Sequence, residues 1–233
     1  MKAVSYWIMK KLIFTLAALL ISWGAYAQDY RNNKPVPVNY LQGKTLSVIG
    51  DSEAAGDKNG IADTYCYYIA ERNCMKVNNL ALNGQKLCNA PADGWPALLD
   101  YYQCIPADTD YILVHIGYND DFDPLEANDS QDSLSYKGAF NLLIKGLRTR
   151  YPHARIGVIC PYYFNGEPTR VARAQWIMSR CPQLHVQCID GCAASGLDYF
   201  TPEQRDMFRD EVHLTVKGHR HMSFIYEHFL RSL

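Results

Sequence analysis

Tyr111-Ile112-Leu113-Val114-His115-Ile116 places apolar side chains on both sides of the chain, the pattern of a strand covered on two faces rather than one. Outward from it, short runs of the same kind at 45–49, 77–82, 155–159 and 185–189 alternate with longer stretches at 64–73, 95–104, 134–150, 169–180 and 217–230. Two of the long stretches carry a helical period. Tyr136, Phe140, Leu143, Ile144 and Leu147 recur at helix-face spacing, as do Met222, Ile225, Tyr226, Phe229 and Leu230, and stripes of this kind face a core. Strands alternating with helices imply a parallel sheet with right-handed crossovers. The expected fold is therefore α/β, a three-layer α/β/α sandwich whose parallel sheet has about five strands.

The composition fits one such domain. The chain has 233 residues, 48% hydrophobic and 20% charged, with 23 Lys+Arg against 24 Asp+Glu. That length buries a sizeable core, the aromatic content argues against disorder, and near-neutral charge removes the basic footprint of a nucleic-acid binder. The first 27 residues read differently. Lys2, Lys10 and Lys11 begin an acid-free segment, Leu12 to Ile21 is apolar, and Ala25-Tyr26-Ala27 precedes Gln28, the layout of a cleaved secretory signal rather than an anchor. Cleavage after Ala27 leaves 206 residues carrying 20 basic and 24 acidic side chains. The expected product is a mildly acidic, secreted or periplasmic protein with no membrane span after cleavage. Residues 28–43, punctuated by Pro35 and Pro37, form an arm leading into a domain at 44–233.

In an open parallel sheet, ligands bind beyond the carboxyl ends of the strands, so the residues just past each strand end deserve inspection first. The first strand is followed by Gly50-Asp51-Ser52, the second by Asn83-Gly84, and the third by Gly117-Tyr118-Asn119-Asp120. Asp210-Glu211-Val212-His213 stands before the last helix. Each piece alone is ordinary turn chemistry. Together, in this order and at these positions, they supply a hydroxyl, a backbone donor, an amide and an Asp/His pair.

On these four blocks, spanning residues 50 to 213, the chain resembles the SGNH (GDSL-type) hydrolases, and its strand–helix order agrees with their flavodoxin-like sandwich. The resemblance implies that Ser52 is a nucleophile, that His213 removes its proton and that Asp210 orients His213. It further implies an oxyanion hole built from the Ser52 N–H, the Gly84 N–H and the Asn119 side-chain amide, with no metal and no organic cofactor. One position departs from the pattern: Glu53 follows the nucleophile where the family usually carries Leu or another apolar residue.

Other clusters read more simply. Asp120, Asp121, Asp123, Glu126 and Asp129 lack the spacing of a calcium loop and are expected to form a solvated loop. His219 and His221 do not share a helix face and are expected at the surface. The eight cysteines contain no CxxC, against zinc ribbons and thioredoxin-like chemistry. Export permits disulfides, and Cys181, Cys188 and Cys192 cluster around one helix–strand connection where a local bridge is expected. Tyr118, Tyr162 and Tyr163 near strand ends are candidates to line a substrate groove.

The function expected is an exported serine esterase acting through an acyl-serine intermediate on a small-molecule or polysaccharide ester, foremost a carbohydrate O-acetyl ester. A lysophospholipase- or thioesterase-type acyl hydrolase, a non-catalytic glycan- or lipid-binding module and an acyltransferase are the alternatives, because a fold does not choose the acyl group or its acceptor. The sequence sets no oligomeric state.

Overall fold

Five short strands joined by four crossovers order the chain. A computed structural model describes residues 39–88 and 96–233, so the secretory signal expected over 1–27, most of the arm expected over 28–43 and Trp95 lie outside the described residues. The strands are β1 (Thr45–Gly50), β2 (Lys76–Asn79), β3 (Tyr111–His115), β4 (Arg155–Ile159) and β5 (Gln187–Ile189). They form one sheet in the order β2-β1-β3-β4-β5, every pair parallel. The expected three-layer α/β architecture and strand count are present. Because β2 and β3 lie on opposite sides of β1, the winding reverses between β1 and β3, and this is where a ligand crevice opens.

The helices are α1 (Ser52–Ala55), α2 (Tyr65–Asn73), α3 (Leu98–Tyr101), α4 (Tyr136–Arg150), α5 (Pro168–Arg180), α6 (Gly191–Ser195) and α7 (Val216–Ser232). Alternation along β3 assigns its side chains to two cores. Ile112 and Val114 pack with Phe140 and Leu143 of α4 and Ile177 of α5, while Leu113 packs with Ile69 of α2 and Met222 and Leu230 of α7. Both apolar stripes read from the sequence are thus core-facing. The longer helices start at identifiable caps: Ser135 Oγ accepts from Gly138 N–H, Glu167 carboxylate oxygens accept from Thr169 and Arg170 N–H with Pro168 at the first turn, and Thr215 Oγ1 accepts from Gly218 N–H, each satisfying backbone donors that a helix leaves open. Among the described residues no helix is long and apolar enough to cross a membrane.

Three expectations shift. The strand expected over 77–82 ends at Asn79, whose Oδ1 accepts Ala81 N–H at 3.0 Å and bends the backbone locally, although Leu80 and Leu82 N–H still donate to Val48 and Gly50 carbonyls. The helix expected over 95–104 is a single α turn followed by a 3-10 turn at Tyr102–Cys104. No disulfide forms: all eight cysteines are free thiols. In place of the bridge expected among Cys181, Cys188 and Cys192, Cys188 Sγ lies 3.9 Å from Ile177 O and 3.5 Å from Met178 Sδ, and Cys192 Sγ accepts Tyr163 N–H at 3.2 Å.

Candidate active site

The site begins with the close approach of β1 to β3. Gly50 pairs with His115, and a Cβ on Gly50 would stand 2.1 Å from the His115 carbonyl oxygen, so only glycine fits this junction. The chain then turns sharply. Asp51 N–H donates to that same carbonyl at 3.2 Å, and the Asp51 carboxylate caps α1 by accepting Glu53 N–H at 3.0 Å. Its other oxygen accepts Gly117 and Tyr118 N–H, both at 3.2 Å. Asp51 therefore ties the segment after β1 to the segment after β3 and leaves Ser52, 7% exposed, at the first position of a one-turn helix. Burial, with Glu53 beside it, raises the Asp51 carboxyl to about 7, against the pull of these N–H donors and His115.

Ser52 Oγ lies 2.9 Å from His213 Nε2. On the far side of the ring, Nδ1 lies 2.8 Å from Asp210 Oδ2 and 3.0 Å from Oδ1. The Asp210 carboxylate also accepts the backbone N–H of Val212 and His213, at 2.9 and 2.8 Å. Partial burial pushes this carboxyl up, but the hydrogen bonds and the imidazole outweigh it and hold Asp210 below the usual carboxylate range. A three-residue loop can do this because the carboxylate caps the turn that presents the ring.

That loop is fixed from outside. Arg209 reaches Asp57 and Asn59 in the turn after α1, and Asn59 Nδ2 donates to Leu214 O at 2.8 Å. Within the loop, Arg209 N–H donates to His213 O at 2.8 Å and Phe208 bridges to Leu214. The sequence reading missed these anchors, since nothing in the spacing of Asp57, Asn59 and Arg209 joins them.

Gly84 and Asn119 follow β2 and β3, beyond the carboxyl ends of the strands as Ser52 does after β1. Gly84 is in the left-handed region at φ 75°, which favours glycine. Asn119 Nδ2 donates to Gln85 O at 3.0 Å, beside Gly84, and an amide nitrogen carries two protons, so one is held and one is left for a ligand. Of the expected site residues, Ser52, His213 and Asp210 are joined by direct hydrogen bonds, while Gly84 and Asn119 are linked through Gln85.

Several side readings are corrected by burial. Asp120 is enclosed, not solvated: its carboxylate accepts Leu87 and Cys88 N–H at 2.9–3.0 Å. His219 is 2% exposed and stacks on Tyr65 with ring centroids 6.1 Å apart, so it is not a surface histidine. Burial lowers it to about 3. Tyr162 is buried and unavailable to a groove, whereas Tyr118 and Tyr163 are half-buried, and Arg170 lies 4.0 Å over the Tyr118 ring. Glu53 turns away from solvent at 2% exposed, with Oε2 2.9 Å from His115 Nε2.

Comparison with known proteins gives the family and the fold. The sequence model of the GDSL-like Lipase/Acylhydrolase family matches residues 48–221. No curated protein matches the chain. Among solved structures, a Lactobacillus plantarum protein is similar at TM-score 0.69 and 23% identity, covering 83% of this chain and 99% of its own. A member of the lipolytic protein G-D-S-L family from Veillonella parvula DSM 2008 aligns at TM-score 0.58 and 14% identity, covering 82% and 100%. A carbohydrate esterase family 2 enzyme with a carbohydrate binding domain, from Corynascus thermopiles (Myceliophthora fergusii), aligns at TM-score 0.57 and 15% identity, covering 84% and 68%. With the family's match running from β1 into the last helix, the chain belongs to the GDSL-like lipase/acylhydrolase family, hydrolases that act on ester bonds.

Proposed function

We propose that the chain is an exported serine esterase that cleaves carboxylic esters through an acyl-Ser52 intermediate, with carbohydrate O-acetyl esters as its substrates. One observation carries the mechanism: Ser52 Oγ, His213 and Asp210 stand in a continuous hydrogen-bonded line. In the first half-reaction His213 Nε2 takes the Ser52 proton as Oγ attacks the ester carbonyl carbon, and Asp210 stabilises the imidazolium that forms. Negative charge develops on the carbonyl oxygen, where the Ser52 and Gly84 N–H groups and the second Asn119 amide proton would meet it. Collapse breaks the carbon–alkoxy bond, His213 returns the proton to the leaving alcohol, and Ser52 is left acylated. Water then attacks the acyl carbon, its proton goes to His213 and back to Ser52, and the carboxylic acid departs.

Export and substrate class rest on independent support. The basic start, the apolar run and Ala25-Tyr26-Ala27 favour cleavage after Ala27 and a secreted or periplasmic location. The carbohydrate esterase on the same scaffold, together with the Tyr118–Arg170 stack near the site, supports a sugar-bearing alcohol. Purified protein assayed on p-nitrophenyl esters from acetyl to decanoyl, alongside acetylated polysaccharides, tests this reading. Highest turnover on acetyl esters and release of acetate from a polysaccharide are expected. A preference for long chains would move the substrate to lipid or thioester acyl groups, and no turnover on any ester would leave a glycan-binding module.

A further inference from the structure

Glu53 is the residue by which this chain departs from its family at the nucleophile turn, and its side chain is fully enclosed. Such a carboxyl is kept only where its surroundings hold it. Tyr162 N–H donates to Oε1 at 2.8 Å, and His115 Nε2 lies 2.9 Å from Oε2. His115 is itself enclosed, with Nδ1 3.2 Å from Tyr65 Oη and its ring edge-on to Tyr162 at 4.8 Å. These partners belong to β3 and to the segment after β4, whereas Glu53 adjoins Ser52.

We propose that Glu53 is a positioning residue for ester hydrolysis: its carboxyl clamps the turn carrying Ser52 to β3 through His115 and to the segment after β4 through Tyr162, fixing Oγ against His213. The clamp rests on the reading of Ser52 as nucleophile. Asp51, on the other side of Ser52, grips the Gly117 and Tyr118 N–H groups. With both neighbours of Ser52 anchored inward, the turn cannot rotate without breaking one set of contacts, and attack geometry tolerates little displacement.

The clamp works in one protonation state. Burial raises Glu53 to about 8 and lowers His115 to about 4, so near neutrality both are uncharged and their facing atoms, Oε2 and Nε2, touch at 2.9 Å without an aligned hydrogen bond. The charged or ionisable groups facing Glu53 are Asp51 in its own turn, His115 on β3, His213 in the loop before α7, and Arg170 and Arg173 on α5. Burial keeps the Cys160 and Cys192 thiols and the Tyr65, Tyr118 and Tyr162 phenols neutral throughout this range. Loss of the Glu53 proton places a second buried negative charge beside Asp51 and close to the oxyanion that the reaction must form.

The test is the pH profile of p-nitrophenyl acetate hydrolysis, corrected for the buffer rate, for wild type, Glu53→Gln, Glu53→Leu and Ser52→Ala. For a single titrating group near 8, wild-type kcat should fall about fivefold between pH 8 and 9. Gln stays uncharged and keeps the acceptor for Tyr162 N–H, so its profile should stay flat over that interval. Leu should lower kcat about tenfold at pH 7 with KM within about twofold, and Gln should recover most of that loss, as expected for misplacement of the nucleophile rather than weaker binding. A Gln variant with the wild-type alkaline fall would overturn the clamp, as would a folded Leu variant with wild-type kcat. If Leu does not fold, the Gln profile decides alone. Wild-type rates in Ser52→Ala would instead overturn the assignment of Ser52 as nucleophile.

Discussion

Ser52 Oγ and His213 Nε2 meet at 2.9 Å although 161 positions separate them in the chain. The meeting depends on two clamps: Asp51 holding the Gly117–Tyr118 backbone, inside the motif blocks, and the Arg209–Asp57–Asn59 cluster, outside them, holding the loop that presents the imidazole.

The second clamp should be separable from stability. Arg209 and Asp57 are partly exposed, so an ion pair there adds little to folding, yet it fixes the backbone beside His213. Arg209→Ala is expected to lower kcat about 10- to 100-fold through misplacement of the base, with a urea midpoint close to wild type. A large loss of stability with kcat preserved would show the cluster to be structural only.

Asn119→Ala removes the amide held at Gln85. The expected loss is about 100-fold or more in kcat, roughly 3 kcal/mol of transition-state stabilisation, with KM little changed. Steady-state kinetics on p-nitrophenyl acetate measure it directly, and a change confined to KM would place the amide outside the oxyanion hole.

Stability should fall as pH rises from 6.5 to 8. Glu53 and Asp51 titrate near 8 and 7 when folded, from ordinary values of 4.5 and 3.8, so in this interval the folded chain binds more protons than the unfolded one and loses stability with rising pH. His115 and His219 act below it: lowered to about 4 and 3 from 6.5, they cost stability as pH falls beneath 6.5. Glu53→Gln removes one group from the upper interval and, by removing a neighbouring charge, lowers Asp51 as well. Its Tm should decline less than wild type between pH 6.5 and 8 in differential scanning calorimetry; equal slopes would mean that Glu53 is ionised in both states.

Gly50→Ala drives a Cβ into the His115 carbonyl. Overpacking against backbone is expected to cost about 3 kcal/mol, seen as a lower urea midpoint or insoluble protein, and a variant of wild-type stability would contradict the close approach of β1 and β3.

Thiol titration checks the cysteines. Cys74 and Cys104 are exposed and should react with a thiol reagent in the native protein first, while denaturant should release eight thiols. Six in denaturant without reductant would mean that one bridge forms.

The order of elements was legible because it is written in local signals, apolar runs and helical periods, whereas the grouping of Ser52, Asp210 and His213 was legible only through the resemblance carried by the blocks at the strand ends. Glu53 was legible only as an anomaly. Its partner His115 lies inside the run Tyr111–Ile116 that reads as an apolar strand, and the pairing exists only once β1 and β3 are adjacent. His219 and Asp120 were misread for a related reason, since helix-face spacing and charge density describe an isolated segment, whereas Tyr65 and the Leu87–Cys88 backbone arrive from elsewhere. Asp51 was read as turn chemistry, and capping is part of what it does; its second role needs Gly117 and Tyr118 in place.

The most direct test of the account is the intact mass of the protein quenched within milliseconds of mixing with p-nitrophenyl acetate, followed by peptide mapping. A transient gain of one acetyl group on the peptide containing Ser52, absent in Ser52→Ala, is the predicted result. Turnover at the wild-type rate with no acetyl group on Ser52, or the same adduct in Ser52→Ala, would contradict it.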